Sequence, residues 1–202
     1  ASETRSAIDL NLRSAGRQLQ DGQWASLLEG LDQMDGKAVA TRLAATIGRT
    51  VPAEAELPRF TSTLSAWTAH WLEHLDKGEG HGRPLVETIM AVLVCCRRSV
   101  PERALFDAVK GNHDVLAWLR GAFPDAGDIA ELPRTAFSRL MGSIDGVLEA
   151  SQVDGELHFA LIHTALKSAI AKQLPPLRLG EARERLATLY AEQFSSLADL
   201  SN

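Results

Sequence analysis

Two histidines and a glutamate are spaced for metal chemistry in the segment HWLEH, residues 70–74. In a helix, His70 and His74 would lie on one face, four residues apart, so that both rings could bind one zinc ion. Glu73, on the neighbouring face, has the chemistry of a general base for a zinc-bound water. The pattern predicts, as one alternative, a small zinc-dependent hydrolase whose third ligand would be His81, Glu149 or Glu156.

With Ala69 before it and Leu75 after it, this segment resembles the H-x-x-E-H motif of pitrilysin-type metalloproteases. The resemblance implies that His70 and His74 are zinc ligands, that Glu73 is the base and that a distant glutamate is the third ligand. In that family the motif lies in a large α/β domain with strands before it, whereas four predicted helical segments precede it here. We therefore favour no cofactor, no metal ligand and no catalytic residue, and keep zinc as the alternative.

No other complete catalytic motif is present in the sequence. There is no G-x-S-x-G elbow and no phosphate-binding loop G-x-x-x-x-G-K-[ST], and the glycine-dense segment Gly78–Gly82 carries an acidic residue instead of Lys-Ser/Thr. The two cysteines, Cys95 and Cys96, are adjacent in an apolar run, which predicts buried, reduced thiols. Reduced thiols and a polar N-terminal segment without an apolar core favour a cytoplasmic location.

Apolar residues recur at helical spacing along most of the chain, which predicts a mainly α fold. We expect an N-terminal helical bundle over residues 1–77, whose last helix begins at Thr61, and a winged-helix-like half over residues 84–177. A C-terminal helix over residues 178–202 would pack on that half. The one β-hairpin of the winged-helix-like half is predicted at Asp154-Gly155, between two short semi-apolar runs. The segment DKGEGHG, residues 76–82, is predicted to be a solvated loop at the domain boundary.

Two stretches of the second half resemble the winged-helix region of STAND-type signalling ATPases. They are RPLVETIMAVLVCCRRSVPERALFDAV, residues 83–109, and VLEASQVDGELHFALIHTALKSAI, residues 147–170. The resemblance covers about Arg83 to Phe194. Because the phosphate-binding loop is missing, the resemblance implies that the chain is the helical and winged-helix arm of a larger signalling ATPase, or a relative that stands alone.

The charge of the chain argues against nucleic acid as the partner. Its 202 residues contain 21 Lys and Arg against 26 Asp and Glu, a net charge of −5. In a winged helix, residues 134–144 would be the recognition helix, which has Arg134 and Arg139 but is largely apolar, and the predicted hairpin is acidic. Winged helices that read DNA need basic side chains at both places. A DNA-binding regulator therefore remains only the second alternative.

The favoured function is a non-enzymatic regulatory or protein-interaction module, whose partner is another protein or another domain of a longer chain. No apolar run is long enough for a membrane span. The candidate partner-binding residues are Trp67, Trp71, Arg97 and Arg98, and we expect the partner surface near the 61–75 helix and the hairpin. The two tryptophans are four residues apart on one helix face, and we favour their burial between the two halves over exposure.

Overall fold

The computed structural model describes residues 2–32, 34, 37–51, 63–126 and 128–199, and it is mainly helical, as predicted. Helices α1 to α4 belong to the first part of the chain: Ser2–Ser14, Asp21–Asp32, Lys37–Thr50 and Leu64–Glu73. The last of these continues into a π-helical turn, His74–Gly78. Helices α5 to α10 follow: Arg83–Cys95, Glu102–Lys110, His113–Ala122, Arg134–Ile144, Thr164–Gln173 and Pro176–Asp199.

The start of α4 is set by a capping residue. The side chain of Thr63 accepts a hydrogen bond from the backbone N–H of Ala66, which satisfies a donor that the first helical turn leaves free. Our predicted start for this helix, Thr61, lies outside the described residues. None of the described helices is both long and apolar enough to cross a lipid bilayer.

The predicted hairpin at Asp154-Gly155 is confirmed. Strands β2, Leu148–Val153, and β3, Glu156–Leu161, pair antiparallel around these two residues, which have positive φ angles of 51° and 81°. A third strand, β1, Val100–Pro101, was not predicted and pairs with β3, giving the order β1-β3-β2. Two residues directly before a helix are too short to show a strand pattern.

The hydrophobic core is continuous from α1 to α10. Helix α4 packs mainly against α9 and also contacts α3. Trp67 and Trp71 of α4 are both 0% exposed, so the prediction that these tryptophans are buried is confirmed. The chain's division into separate domains remains a prediction.

Helix α3 also reaches the base of the hairpin. The guanidinium Nη1 of Arg49 lies 2.7 Å from Oδ1 of Asp145, at the end of α8. Next to it, Gly146 lies so close to Thr46 that an added Cβ would clash with the threonine hydroxyl. These contacts connect α3 to the segment that leads into β2. Because α1 and α2 pack on α3, they are connected to that segment through it.

Candidate functional site

The glutamate of the H-x-x-E-H segment forms an ion pair at the surface. Glu73 is on the surface, where its Oε1 lies 2.8 Å from Nζ of Lys77, and this hydrogen bond holds the pKa of the carboxyl below its usual value. His70 is partly buried, and its pKa is lowered first by burial and then by the charge of His74. The carboxylate that would act as base is therefore held in an exposed ion pair.

The ring of His74 packs against the π-helical turn that this residue begins. The ring lies directly over Gly78, where any Cβ would clash with Nδ1. The backbone N–H of Glu79 then bonds to the carbonyl of His74 at 2.9 Å. As a result, Nε2 of His74 faces Oε1 of Glu79 at 3.9 Å. Isolated π-helical turns of this kind are frequent at functional sites.

Four side chains meet behind this turn, and we call them the polar cluster: His74, Glu79, His81 and Ser143. Nε2 of His81 lies 3.0 Å from Oε2 of Glu79 and 2.9 Å from Oγ of Ser143, which comes from α8. Ser143 also donates a short hydrogen bond to Oε2 of Glu79. The side chain of His81 is 2% exposed and that of Glu79 is 14% exposed, so the cluster is largely shielded from water.

The charge of Glu79 is stabilised by its neighbours. Burial alone would raise the pKa of this carboxyl, but the hydrogen bonds from His81 and Ser143 outweigh it, and the pKa lies below its usual value. Arg139 of α8 donates a further bond of 2.6 Å to the backbone carbonyl of Glu79. The polar cluster therefore joins the end of α4 to α8 through a charged group.

The polar cluster does not have the arrangement of a catalytic triad. In a Ser-His-Asp triad the serine and the carboxylate contact opposite nitrogens of the imidazole. Here Ser143 and Glu79 both contact Nε2 of His81. Across the described ranges, no group of three or more His, Cys, Asp or Glu residues could hold a metal ion. The geometry is instead that of a structural cluster, whose hydrogen bonds hold the segment after α4 against α8.

Two atoms of the polar cluster have no hydrogen-bond partner in the described part of the chain: Nε2 of His74 and Oε1 of Glu79. Of the three candidate third ligands, His81 lies in this cluster, whereas Glu149 and Glu156 are exposed on the hairpin. Glu149 lines a cleft of about 360 Å³ together with Arg42 and His163. Of the three candidate third ligands, only His81 therefore shares a cluster with a histidine of the motif.

Sequence reasoning missed two members of the polar cluster. In the sequence, Glu79 is only the acidic residue of a glycine-dense segment, and Ser143 belongs to no motif. Ser143 is 64 residues from Glu79 along the chain, so no local spacing could connect them. The prediction of a solvated loop at residues 76–82 fails at the end of the segment: Lys77, Gly78 and Gly80 are exposed, but His81 is 3% exposed and Gly82 is buried. The prediction failed because glycines also occur where a backbone must approach another group closely.

The remaining candidates lie apart from the polar cluster. Arg97 and Arg98 are exposed in the bend after α5, and neither forms an ion pair with another described residue. Cys96 is buried and Cys95 is partly buried, and both are free thiols. Burial raises the pKa of Cys95, although the nearby Arg183 and Lys167 act against it. Such a thiol is protonated at neutral pH and is a poor nucleophile.

A surface pocket of about 240 Å³ lies beside α4, the helix that carries most of the H-x-x-E-H segment. Its floor includes Leu72, Val86 and Leu174. Glu73 and Lys77 stand at its rim as the ion pair described above, and Arg83 and Glu87 form a second pair at 2.6 Å. The charges around this pocket largely neutralise each other.

Gly82→Ala should destabilise the chain more than Gly80→Ala. Both glycines have positive φ angles, 79° and 68°, but a Cβ on Gly82 would clash with the indole of Trp118, whereas nothing lies within 4 Å of one on Gly80. We expect a loss of about 2 kcal/mol for Gly82→Ala against about 1 kcal/mol for Gly80→Ala, measured by urea unfolding. Equal losses would show that the indole does not restrain the turn.

Comparisons of the chain with models of protein families, with curated proteins and with solved structures found no match. Function therefore has to be argued from the geometry of the chain itself.

Proposed function

We propose that this chain is a non-enzymatic regulatory or protein-interaction module with a winged-helix-like second half. The observation that carries the proposal is the surface of the hairpin. Val153 and Leu157 are 43% and 37% exposed near its tip, beside Asp154 and Glu156. Residues 146–161 contain no lysine or arginine. Val153 and Leu157 project from opposite faces of the hairpin, because their cross-strand partners are Glu156 and Gln152. Exposed apolar side chains on both faces of an acidic hairpin tip suit a protein partner better than a phosphate backbone.

The order of elements supports the winged-helix interpretation. Helix α5, strand β1, helices α6 to α8 and the hairpin follow each other, and β3 lies in the centre of the sheet. In this interpretation α8 would be the recognition helix. The guanidinium of Arg134 lies 3.8 Å from the ring centroid of Phe106, and Arg139 bonds to the carbonyl of Glu79. Both arginines thus make contacts within the chain, which supports a protein partner rather than DNA.

The resemblance to STAND-type ATPases extends the proposal. The chain would be the helical and winged-helix part of a larger cytoplasmic signalling ATPase, and the partner would be another protein or another domain of that chain. Arg97 and Arg98 have no described ion pair and are therefore included with the hairpin among the residues that would contact it. Trp67 and Trp71, which were also predicted as partner contacts, are 0% exposed and are therefore not part of this surface.

A photo-cross-linking amino acid in place of Leu157 tests this function in cells that produce the chain. We expect a discrete adduct with one protein. Leu10, which is 72% exposed in α1, gives the matched control position, and we expect no adduct there. The same adducts at both positions, or none at Leu157, would contradict an interaction through the hairpin. Purified chain should also show no salt-dependent binding to duplex DNA.

Metal analysis separates this proposal from the zinc hydrolase. The zinc alternative is retained because His70 and His74 are close to each other. The charge of His74 lowers the pKa of His70, which requires the two rings to be near. We expect less than stoichiometric zinc in the purified protein and an unchanged melting temperature after chelation. One zinc per chain that is lost in both His70→Ala and His74→Ala would establish the hydrolase site instead.

A further inference from the structure

Strand β2 forms the long open edge of the sheet. The sheet order is β1-β3-β2, so β2 has a neighbour on one side only, and its residues 149–153 are all exposed. Within the described ranges, no backbone or side-chain group forms a hydrogen bond with its open side. The opposite edge, β1, is two residues long and contains Pro101. The open edge of β2 is therefore the longer of the two edges.

The hairpin geometry identifies which backbone groups of β2 point outward. In a hairpin with a two-residue turn, the closing pair, here Val153 and Glu156, exchanges hydrogen bonds, and bonded and non-bonded pairs then alternate. The bond of 3.1 Å from the N–H of Ile162 to the carbonyl of Val147 fits the same alternation. The N–H and C=O groups of Ala150 and Gln152 therefore face away from β3.

This edge has few of the features that usually prevent strand addition. Exposed edges are commonly protected by lysine, proline, a β-bulge or a covering element. The exposed residues of β2 read Glu-Ala-Ser-Gln-Val, with no lysine or proline, and the pairing with β3 runs through all six residues without a bulge. The edge presents a straight row of donors and acceptors to an incoming strand.

Charge indicates which kind of strand fits. Glu149, Asp154 and Glu156 give the hairpin three carboxylates, and residues 146–161 contain no lysine or arginine. Arg42 and His163 share the cleft with Glu149 at the base, so the uncompensated charge is at the tip. A second copy paired antiparallel about Ser151 would bring its Asp154 close to Glu149. That repulsion disfavours self-pairing and favours a basic partner.

We propose that β2 binds an extended, basic segment of a partner protein by strand addition, with the outward groups of Ala150 and Gln152 as its hydrogen-bonding sites. This inference rests on the proposed function, because it names the partner chemistry of the same hairpin. The partner segment would alternate lysine or arginine with β-branched residues, so that its charges meet Asp154 and Glu156.

A random ten-residue peptide library displayed on phage, selected on the immobilised chain, tests the proposal. We expect enrichment of basic, alternating peptides whose affinity falls at least tenfold for Ala150→Pro and for Gln152→Pro. Proline at these positions removes an outward N–H and no bond to β3. Gln152→Thr is the matched control and should retain binding. Failure to enrich, acidic peptides, or peptides that bind the proline variants equally well would overturn the proposal.

Two further measurements test whether the proline variants lose binding only because they misfold, and whether the chain pairs with a second copy of itself. An enriched peptide with alternate backbone amides N-methylated should lose binding to the unaltered chain, and retained binding would overturn strand addition. In light scattering we expect a monomer; a dimer abolished by Gln152→Pro would make a second copy the occupant and overturn the basic partner. If the adduct at Leu157 persists while these tests fail, strand addition is wrong and the proposed function stands.

Discussion

Trp71→Ala should lower the free energy of unfolding by about 3–5 kcal/mol, the range for truncating a large buried aromatic side chain. Trp71 is 0% exposed in α4, whose main packing partner is α9. The truncation would leave a cavity in the hydrophobic core, and rigid neighbours fill such a space poorly. Chemical unfolding monitored by circular dichroism measures the loss.

Trp71→Phe is the matched control for this prediction. The indole Nε1 of Trp71 is buried without a hydrogen-bond partner in the described part of the chain, so phenylalanine removes no bond there. We expect a clearly smaller loss than for alanine. Thermal melts of Trp71→Ala at two protein concentrations complete the test. An unchanged melting temperature with weakened association would contradict the packed arrangement and make Trp71 a partner contact.

Glu79→Ala should destabilise the chain by about 3 kcal/mol at neutral pH, because hydrogen bonds to a charged group contribute more than neutral ones. The substitution leaves Nε2 of His81 and Oγ of Ser143 without their carboxylate in a shielded place. Glu79→Gln keeps the shape and should lose less. A loss within 0.5 kcal/mol for Glu79→Ala, the range typical of surface substitutions, would show that the polar cluster contributes little to stability.

The contribution of Glu79 should also depend on pH. Its pKa in the folded chain lies below the unfolded value of 4.5, so the folded state favours the ionised form. The stabilisation is therefore complete above pH 4.5 and is lost as the pH falls through the folded pKa. We expect the stability difference between the unaltered chain and Glu79→Gln to shrink below pH 4.5. A difference that stays constant to pH 3 would contradict this assignment.

The parts of the fold that follow from local pattern were predictable. Helical spacing of apolar residues marked the helices, and Asp154-Gly155 marked the hairpin because its positive φ angles suit these residue types. The burial of Trp67 and Trp71 followed from their spacing on one helix face. Each of these depends on residues a few positions apart.

The candidate site was less predictable because it depends on distant residues. Ser143 reaches Glu79 only after α5 to α8 have packed, and the π-helical turn that places Glu79 beside His74 has no sequence signal that we recognised. From the sequence alone, the glycines of residues 78–82 predict a solvent-exposed loop. Gly82 instead provides the space that the ring of Trp118 occupies, a requirement that only the folded partner reveals.

The contact between α3 and the end of α8 has a consequence for the timing of folding during synthesis. Arg49 and Asp145 are 96 residues apart in the chain. At the usual rate of 5–20 residues per second, the ribosome adds the second residue about 5–20 s after the first. Helix α3 can pack on α1 and α2 early, but the surface that meets Asp145 and Gly146 stays uncovered for that interval. A slow codon between these positions would lengthen the exposure of that surface to chaperones and to neighbouring nascent chains.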